Sequence, residues 1–302
     1  MPTDPSPPEL VGTVVAWFDE HARVLPWRAP DRTPWGVLVS EVMLQQTPVV
    51  RVEPAWRAWM SAWPTPADLA AAPTADVLRA WDRLGYPRRA LRLQECARAI
   101  VERHDGEVPD DEDALLALPG IGSYTAAAVR AFAFGQRSVV LDTNVRRVLA
   151  RAVEGSALPA PSLTAAEVRT ASALVPTAAD EAARWAAASM ELGALVCTAR
   201  APRCEECPVA SSCAWLAAGR PADEHHARRR TQGWAGTDRQ VRGRIMALLR
   251  EALGPVPQHA VDQVWPDAAQ RARCVDSLVA DGLVARHAPP SPDADPTYSL
   301  PH

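Results

Sequence analysis

The chain has 302 residues, of which 48% are hydrophobic and 23% charged, and its formal net charge at pH 7 is −4. That length leaves room for two or three domains. No apolar run is long enough to cross a bilayer and the first residues lack an export signal, so we expect a cytoplasmic protein. All 32 basic side chains are arginines, which excludes mechanisms that need a lysine amine to form a Schiff base.

Helical periodicity dominates the first 216 residues, whereas the alternation typical of strands is nearly absent. Proline-rich breaks separate segments whose apolar residues recur at helical spacing. These segments are Leu10–His21, Val37–Gln46, Pro54–Ala62, Thr74–Leu84, Ala90–His104, Thr125–Phe134, Asn144–Val153, Thr164–Leu174 and Asp180–Cys197. The sequence therefore predicts an all-α core made of short helices.

The composition changes after Cys213. Residues 217–237 are rich in glycine, proline, histidine and arginine, and they are predicted to form a linker. Beyond them follow an amphipathic helix, a short helix around Val261, a second long helix and two short apolar pieces, which is the order of a winged helix. We therefore predict a core of residues 1–216, the linker, and a winged-helix-like unit of residues 238–302.

Four cysteines form a ladder late in the core, with six, two and five residues between them: Cys197, Cys204, Cys207 and Cys213. In a reducing compartment such a ladder is typical of a metal site rather than of disulfides. Structural zinc usually has its thiolates in two close pairs, whereas iron–sulfur clusters accept irregular spacings. The ladder therefore favours iron–sulfur over zinc, and it resembles the [4Fe–4S] segment of the endonuclease III superfamily.

A glycine-rich turn joins two helical segments at Leu118–Thr125 (L-P-G-I-G-S-Y-T). Gly120 and Gly122 let the backbone turn tightly and present free N–H groups at the start of the next helix, which suits a DNA phosphate. An ordinary helix–helix turn is the plain alternative. The full G-x-G with its following T-A-A-A resembles the helix–hairpin–helix of the same superfamily.

Two acids are candidates for catalysis. Asp142 ends an apolar run and precedes an arginine-rich helix, so it is either a helix N-cap or a carboxylate beside a reacting sugar. When an N-glycosidic bond breaks, positive charge develops on the sugar, and a nearby carboxylate stabilises it. Glu41 lies in a helical segment, where a lone glutamate is usually solvated, but it is also suited to protonate a departing base.

Several strings around these residues resemble the A/G-specific adenine DNA glycosylases, the MutY family. They are Leu25–Arg28 (L-P-W-R), Ser40–Thr47 (S-E-V-M-L-Q-Q-T), Trp81–Tyr86 (W-D-R-L-G-Y) with Arg88 and Arg89, and Glu191–Cys197 (E-L-G-A-L-V-C). The resemblance implies a helix–hairpin–helix DNA glycosylase fold with a [4Fe–4S] cluster. It also implies base excision repair of adenine mispaired with 8-oxoguanine or guanine in double-stranded DNA, without lyase activity. We expect a monomer associated with the nucleoid.

The resemblance assigns roles by position. Glu41 matches the general acid that protonates adenine N7. Asp142, with Asn144 beside it, matches the residue that stabilises the oxocarbenium-like sugar, and Tyr124 stands where lyase relatives have their Schiff-base lysine. The residues that match the adenine pocket are Trp27, Arg28 and Leu44, and those that match the wedge entering the duplex during base flipping are Gln46 and Tyr86.

The sequence also departs from the family's pattern. Arg83 and Pro87 replace a glycine and a tyrosine, which changes the backbone expected at the wedge. Thr143 stands where glycine is common, and Ala186 and Ala187 stand where polar residues would face adenine. The family's C-terminal domain, which resembles Nudix hydrolases and reads 8-oxoguanine, is expected to be missing, because the residues after the linker are too few for it.

Two other functions compete with this interpretation. A pyrimidine-damage glycosylase with lyase activity would need a lysine, and the chain has none. A noncatalytic DNA-binding protein with a four-cysteine iron–sulfur or zinc site would not need both Glu41 and Asp142 in their motifs. In the predicted winged-helix-like unit, four arginines are candidates for phosphate contacts: Arg242, Arg244, Arg271 and Arg273. A unit that only packs on the core or mediates dimerisation is the plain alternative.

Overall fold

The computed structural model describes residues 7–228, 233–289, 291 and 295–302. Within these ranges the chain forms helices α1 (Pro7–His21), α2 (Pro34–Leu44), α3 (Val49–Ala62), α4 (Pro66–Ala71), α5 (Thr74–Trp81), α6 (Arg88–Arg103), α7 (Glu112–Leu116), α8 (Ser123–Phe134), α9 (Thr143–Ala152), α10 (Ala165–Leu174), α11 (Ala179–Leu195), α12 (Ala214–Ala217), α13 (Asp238–Glu251), α14 (Gln258–Asp262) and α15 (Ala268–Ala280). It also forms strands β1 (Val256–Pro257), β2 (Ala285–His287) and β3 (Thr297–Ser299). None of the described helices is long and apolar enough to span a membrane.

Every helix predicted in the core is present, and the differences lie at the helix ends. The largest shift is at α3, which begins at Val49 and has Pro54 inside it rather than at its start. A proline inside a helix removes one backbone hydrogen bond. Burial of Val52 and Trp59 on either side of it offsets that cost. Part of the predicted linker, and part of the segment between the two short apolar pieces near the C-terminus, lies outside the described residues.

Helix α4 was not predicted, because the prolines around Thr65 were interpreted as a break. Thr65 instead caps the helix, since its hydroxyl accepts from the Asp68 amide at 3.3 Å. The Asp68 carboxylate accepts in return from the Thr65 amide at 3.0 Å. Pro66 occupies the first turn, where its missing N–H costs nothing. The string T-P-x-D is therefore a helix start, which the chain uses to begin α4.

The chain divides into two compact units that interleave along the sequence. The first contains Met1–Leu38, Asp110–Ala117 and Ile121–Arg230, and the second contains Val39–Pro109, Leu118–Gly120 and Thr231–His302. The core of the first unit joins apolar faces of α1, α9, α10 and α11. Its most deeply buried members include Val14, Val148, Ala182, Trp185, Ala188 and Leu192. The predicted boundaries at residues 216 and 238 stay a prediction.

The second unit contains α3 to α6 and the C-terminal helices and strands. Trp81, Leu93 and Ile100 are fully buried in it. Gln94 is buried too, and its side-chain amide donates to the carbonyls of Leu69 and Ala72 at 3.2 and 2.7 Å. These bonds tie α6 to the end of α4 and satisfy a polar group that would be costly to bury alone.

The C-terminal residues of the second unit have the element order of a winged helix. Helix α13 packs on α15, and the three strands form an antiparallel sheet in the order β1-β3-β2. Tyr298 on β3 pairs with Val256 on one side and Arg286 on the other. The order of helices and the β2–β3 hairpin agree with the prediction. Strand β1 was not predicted, because two residues are too short to show alternation.

This C-terminal segment also contacts α5 and α6 of the same unit. Arg250 donates to the Leu78 carbonyl at 3.1 Å, and Arg79 donates to the Ala252 carbonyl at 3.3 Å. Arg88 at the start of α6 lies 3.3 Å from Asp281. The segment is therefore joined to α5 and α6, the helices on either side of the loop that contains the wedge candidate Tyr86.

Candidate functional site

Glu41 lies on α2, in the part of the chain assigned to the second unit. Its neighbours Val39, Ser40, Val42 and Met43 are all buried, and Glu41 itself is 5% exposed. A helix that is apolar on all sides belongs to the interior. The plain interpretation of Glu41 as a solvated helix residue is therefore wrong. Carboxyl groups are rarely buried to this degree unless they have a partner or a function.

Asp142 is the N-cap of α9, and its carboxylate is held by three hydrogen bonds. One oxygen accepts from the amides of Asn144 at 2.8 Å and Val145 at 2.6 Å. The other accepts from the side-chain amide of Asn144 at 2.7 Å. Burial raises the pKa of the Asp142 carboxyl, while these bonds and the charge of Arg147 oppose the rise. The structure therefore confirms the N-cap alternative and brings Asp142 and Asn144 together.

Arg147 joins the Asp142 cap to the start of the cysteine ladder. Its guanidinium donates to the Asn144 side-chain oxygen at 2.7 Å and to the Gly193 carbonyl at 2.6 Å. Its Nε donates to the Cys197 carbonyl at 2.5 Å. Arg147 is 8% exposed, and burial lowers its pKa although the residue is surrounded by acceptors. Its position on an arginine-rich helix was noted in the sequence, but its partners, up to 50 residues away, were not.

Gly193 lets α11 approach α9 closely, at the point where Arg147 of α9 donates to the Gly193 carbonyl. A Cβ atom at Gly193 would lie 2.7 Å from the Asn144 Cβ and 2.8 Å from the Asn144 carbonyl oxygen. Real Cβ atoms do not come that close to a backbone, so only glycine fits there without a shift. Helix α11 therefore fixes the backbone of Asn144, which in turn carries two of the bonds to Asp142.

The four cysteines of the ladder line one cavity together with apolar side chains. The apolar members of this lining include Val148, Ala152, Leu192, Val196, Val209 and Trp215. All six cysteines are free thiols, and within the described ranges no three metal-binding side chains converge on a single ion position. Four cysteines that line one cavity supply the thiolate ligands that a [4Fe–4S] cluster takes.

Arg151 and burial shape the surroundings of these thiols. Arg151 donates to the Cys197 sulfur at 3.4 Å and to the Thr198 carbonyl at 2.7 Å, and its guanidinium lies 4.7 Å from the Trp215 ring. Burial raises the pKa of the Cys207 thiol to about 11 and raises that of Cys213 as well. Without a metal these thiols would stay protonated, whereas a bound metal keeps its cysteine ligands as thiolates.

Arg28 is held by a buried glutamate that sequence reasoning missed. Glu191 on α11 has a fully buried side chain. It accepts from Arg23 at 2.7 and 2.8 Å and from Arg28 at 3.1 Å. Burial alone would raise the pKa of Glu191, but the bonds and charges of the two arginines hold it at about 2. The pocket candidate Trp27 is buried in the adjoining short 3-10 helix, Pro26–Arg28.

One Arg28 nitrogen, Nη1, is buried and makes no hydrogen bond among the described residues. Arg28 and Glu191 lie 163 residues apart along the chain. In the sequence, Glu191 stood out only as the first residue of the string E-L-G-A-L-V-C, which ends at the first cysteine of the ladder. No local signal marks a long-range ion pair of this kind.

The third pocket candidate, Leu44, lies in the second unit at the end of α2 and is half-buried.

The wedge candidates Gln46 and Tyr86 lie on two loops of the second unit, and both have left-handed backbones. Their φ angles are 57° and 48°, a region that costs energy for residues other than glycine. Gln46 is exposed and Tyr86 is 44% exposed. Such strain at exposed residues is typical of functional sites.

Arg89 clamps these two loops together. Its guanidinium donates to the Val42 carbonyl at 2.8 Å and the Gln45 carbonyl at 2.5 Å. It also donates to the carbonyls of Leu84 and Gly85, both at 3.2 Å. Burial lowers the pKa of Arg89 to about 10. The substitutions at Arg83 and Pro87 leave this arrangement in place, with a 3-10 helix at Asp82–Leu84 and α6 starting at Arg88.

The glycine-rich turn lies between α7 and α8, as the hairpin prediction requires. Gly120 has a φ of 79°, and a Cβ there would lie 2.9 Å from the Arg92 Cβ, so the turn needs glycine. Gly122 is the N-cap of α8 with an extended backbone and is exposed. Its amide and the next ones are therefore placed to meet an anion. Tyr124 follows in the first turn of α8 and is half-buried.

Two segments of the chain match known families. Residues 39–172 match the HhH-GPD superfamily of base excision DNA repair proteins, and residues 197–213 match the iron–sulfur binding domain of endonuclease III. The second match begins at Cys197 and ends at Cys213. The predicted helix–hairpin–helix fold and iron–sulfur cofactor are therefore confirmed, and DNA is the substrate.

Whole-chain relatives agree with these matches. The chain is 53% identical to the adenine DNA glycosylase of Mycolicibacterium smegmatis over 284 residues, 94% of each chain. It is 52% identical to that of Mycobacterium tuberculosis over 274 residues, 90% of this chain and 89% of the relative. Among solved structures it resembles a thermostable thymine-DNA glycosylase, with a TM-score of 0.64 and 28% identity over 70% of this chain and 97% of that one. The chain therefore belongs to the adenine DNA glycosylase family.

Proposed function

We propose that this chain hydrolyses the N-glycosidic bond of adenine mispaired with 8-oxoguanine or guanine in duplex DNA. The observation that carries the proposal is the Asp142 carboxylate, fixed by three hydrogen bonds at the start of α9. A carboxylate that is already oriented stabilises developing positive charge without reorganising during the reaction. Asp142 is thus suited to stabilise the cationic sugar that forms as adenine leaves.

Glu41 is the proposed general acid. The adenine must leave as a neutral base, and a proton on N7 makes that possible, so the enzyme needs a proton donor beside the base. Glu41 is 5% exposed on an otherwise apolar stretch of α2, so water has little access to it. Asn144 supports the reaction by orienting Asp142 through its side-chain amide.

The product is proposed to be an abasic site without strand cleavage. Lyase chemistry in related enzymes passes through a Schiff base on an amine, and the chain contains no lysine. Tyr124 occupies the corresponding position in the first turn of α8. A phenol cannot form a Schiff base, so the reaction ends after hydrolysis.

Base flipping and binding are assigned to three groups of residues. Gln46 and Tyr86 act as the wedge, because both are exposed and strained on loops that Arg89 fixes. Gly120 and Gly122 form the hairpin turn that binds a phosphate through backbone amides. Trp27 and Arg28 of the first unit and Leu44 of the second are each proposed to contact the adenine. The enzyme is proposed to act as a monomer on the nucleoid in the cytoplasm.

The cluster ligands are proposed to be Cys197, Cys204, Cys207 and Cys213, which hold a [4Fe–4S] cluster. Four thiolates leave no open position for a water, so a bound cluster supplies a structural link rather than a reaction centre. Arg147 joins that link to the Asp142 cap through the Cys197 carbonyl and Asn144. The cluster segment therefore supports the backbone next to Asp142.

Excision on four duplexes tests the proposal. They carry adenine opposite 8-oxoguanine, adenine opposite guanine, adenine opposite thymine, and thymine glycol opposite adenine. We expect abasic sites in the first two only, revealed as breaks after hot alkali and not before it. Removal of thymine glycol, nicks before alkali, or a covalent complex trapped by borohydride would instead indicate another endonuclease III-like glycosylase with lyase activity.

A further inference from the structure

Trp215 on α12 lines the cavity of the four cysteines on the side that faces solvent. It is 9% exposed, and it packs with Cys204 and Cys213 in one apolar group. The residues that follow it, 217–222, are all exposed. By contrast, the aliphatic side chains that line the cavity from α9 and α11 belong to the interior core of the first unit. Trp215 is therefore placed between the cavity and the surface of that unit.

A buried arginine supports the Trp215 ring from the cavity side. The guanidinium carbon of Arg151 lies 4.7 Å from the ring centre, and Arg151 also lines the cavity. Arg151 is 4% exposed and donates to the carbonyls of Ala157 and Thr198 at 2.8 and 2.7 Å. A cation next to an aromatic face attracts it. Because these bonds fix the guanidinium, they also restrict the ring that lies against it.

The turn after α12 folds back onto the same ring. Gly219 and Arg220 both have left-handed backbones, with φ angles of 77° and 59°. The Pro221 carbonyl accepts from the Trp215 ring nitrogen at 2.9 Å, and the guanidinium carbon of Arg220 lies 5.9 Å from the ring centre. A left-handed backbone costs energy for an arginine and persists where the surrounding contacts compensate for it. The strained turn thus brings a second cation and a hydrogen-bond acceptor to Trp215.

We propose that Trp215 is a plug that closes the solvent side of the cysteine cavity and slows the loss of the iron–sulfur cluster. An apolar shell around a metal site controls the access of solvent to it. A ring held by Arg151 on the cavity side and by the turn at Arg220 is suited to exclude small solutes. The inference rests on the proposed function, in which the four cysteines of that cavity hold the cluster.

Release of iron to EDTA tests this inference independently of excision. The holoprotein is mixed with excess EDTA, and the visible absorbance of the cluster and the protein-bound iron are followed over time. Trp215→Ala should lose iron at least about tenfold faster than the wild type, the lower end for changes just outside metal ligands. Trp215→Phe keeps an aromatic ring and should restore most of the retention. Trp17→Ala removes a partly buried tryptophan elsewhere in the same unit and should match the wild type.

A second variant weakens the plug without removing it. Arg220→Gly deletes the outer cation, and glycine accepts the φ of 59° without strain, so the fold should be preserved. Iron loss should accelerate by about two- to fivefold, the equivalent of an exposed cation–π contact. Arg200→Gly makes the same change at an exposed arginine between the first two cysteines and should leave the rate unchanged.

Urea unfolding of each variant separates a lost plug from a weakened fold. A rate for Trp215→Ala within about twofold of the wild type would overturn the inference, since second-shell changes have larger effects. So would a Trp17→Ala variant that loses iron as fast at the same free energy of unfolding. If Trp215→Ala does not fold, Arg220→Gly decides, and a wild-type rate there overturns the inference. These results leave the proposed function intact, whereas a wild type without iron would contradict the proposed cluster and the plug together.

Discussion

The sequence allowed two roles for Asp142 as alternatives, and its N-cap geometry is compatible with the proposed catalytic role as well. As an N-cap it accepts backbone N–H bonds, which favours the ionised carboxylate. Burial acts in the opposite direction and raises the pKa. The string L-D-T-N predicts a cap from local chemistry. The degree of burial depends on α11 and on Arg147, which no local pattern reveals.

The pH dependence of excision is expected to depend on the hydrogen bonds that lower the pKa of Asp142. Only the ionised carboxylate stabilises a cation, so the rate is retained above the Asp142 pKa and lost as pH falls through it. Asn144→Ala removes one bond that lowers this pKa. The acid limb of the single-turnover rate profile should therefore move to higher pH than in the wild type. The control Thr143→Ala changes an exposed side chain next to Asp142 and should leave the limb in place.

A second prediction at the scale of one residue concerns Glu191. Its fully buried carboxylate has two arginine partners, and replacing it would leave their charges uncompensated. Glu191→Gln should lower the free energy of unfolding by ~3 kcal/mol at pH 7, in the range for a broken buried pair. The control Asp19→Asn breaks the exposed pair with Arg184 and should cost less than ~1 kcal/mol.

Lowering the pH should abolish the contribution of Glu191 to the free energy of unfolding. The folded pKa of about 2 lies below the ordinary value of 4.5, so this carboxylate stabilises the fold above pH 4.5 and loses that effect as pH falls towards 2. Urea unfolding at several pH values should show the wild type and Glu191→Gln converging below pH 4.5. A difference that stays constant down to the lowest pH would contradict the ion-pair account.

At the scale of elements, the approach of α11 to α9 is the contact that matters most for the site. Gly193→Ala would place a Cβ 2.7 Å from the Asn144 Cβ and 2.9 Å from its backbone carbon. We expect a loss of about 1–3 kcal/mol in the free energy of unfolding, as for overpacked cores. Excision should fall as well, because Asn144 moves with Asp142.

Gly243→Ala is the matched control for this contact. It lies within α13 with open space around the added Cβ, so helix propensity alone should stabilise the fold by up to ~1 kcal/mol. Urea unfolding and single-turnover excision would be measured for both variants. Equal behaviour of the two would show that close approach at Gly193 has no special role.

Elements were predictable from sequence to the extent that their signals are local. Periodicity located the core helices, and the ladder located the cluster segment. Helix α4 was missed because Pro64 and Pro66 outweighed the T-P-x-D start. The Arg89 clamp and the Glu191 pair were also missed, since their partners lie 44 and 163 residues away. Spacing along the chain carries no information about such contacts.

At the scale of the whole molecule, the cluster segment is expected to support folding and DNA binding rather than chemistry. Cys204→Ser should lower the iron content and reduce folding yield or DNA affinity, because one of four ligands is lost. Cys96→Ala is the control, since Cys96 is a buried thiol outside the ladder whose pKa burial raises to about 12. It should keep its iron. Intact binding and cluster absorbance in Cys204→Ser, together with abolished excision, would contradict the structural role.

The C-terminal segment was only partly predictable from sequence. Its order of helices and hairpin was predictable, but its arginines could not be ranked from sequence alone. All four candidates have partners in the structure, whereas Arg239, which was not a candidate, lies beside Tyr86. Pairing of this kind depends on which helices pack together, and so on the fold as a whole.

The central claim is that Glu41 and Asp142 carry out adenine excision. Single-turnover excision of adenine opposite 8-oxoguanine, measured with Glu41→Gln and Asp142→Asn at saturating enzyme, tests it most directly. The exposed residue Glu95, changed to Gln, serves as the control. We predict a rate reduced at least ~100-fold in each catalytic variant, the lower end for general acid catalysis, with mispair binding and iron content retained. A reduction of less than about tenfold in either variant would contradict the claim.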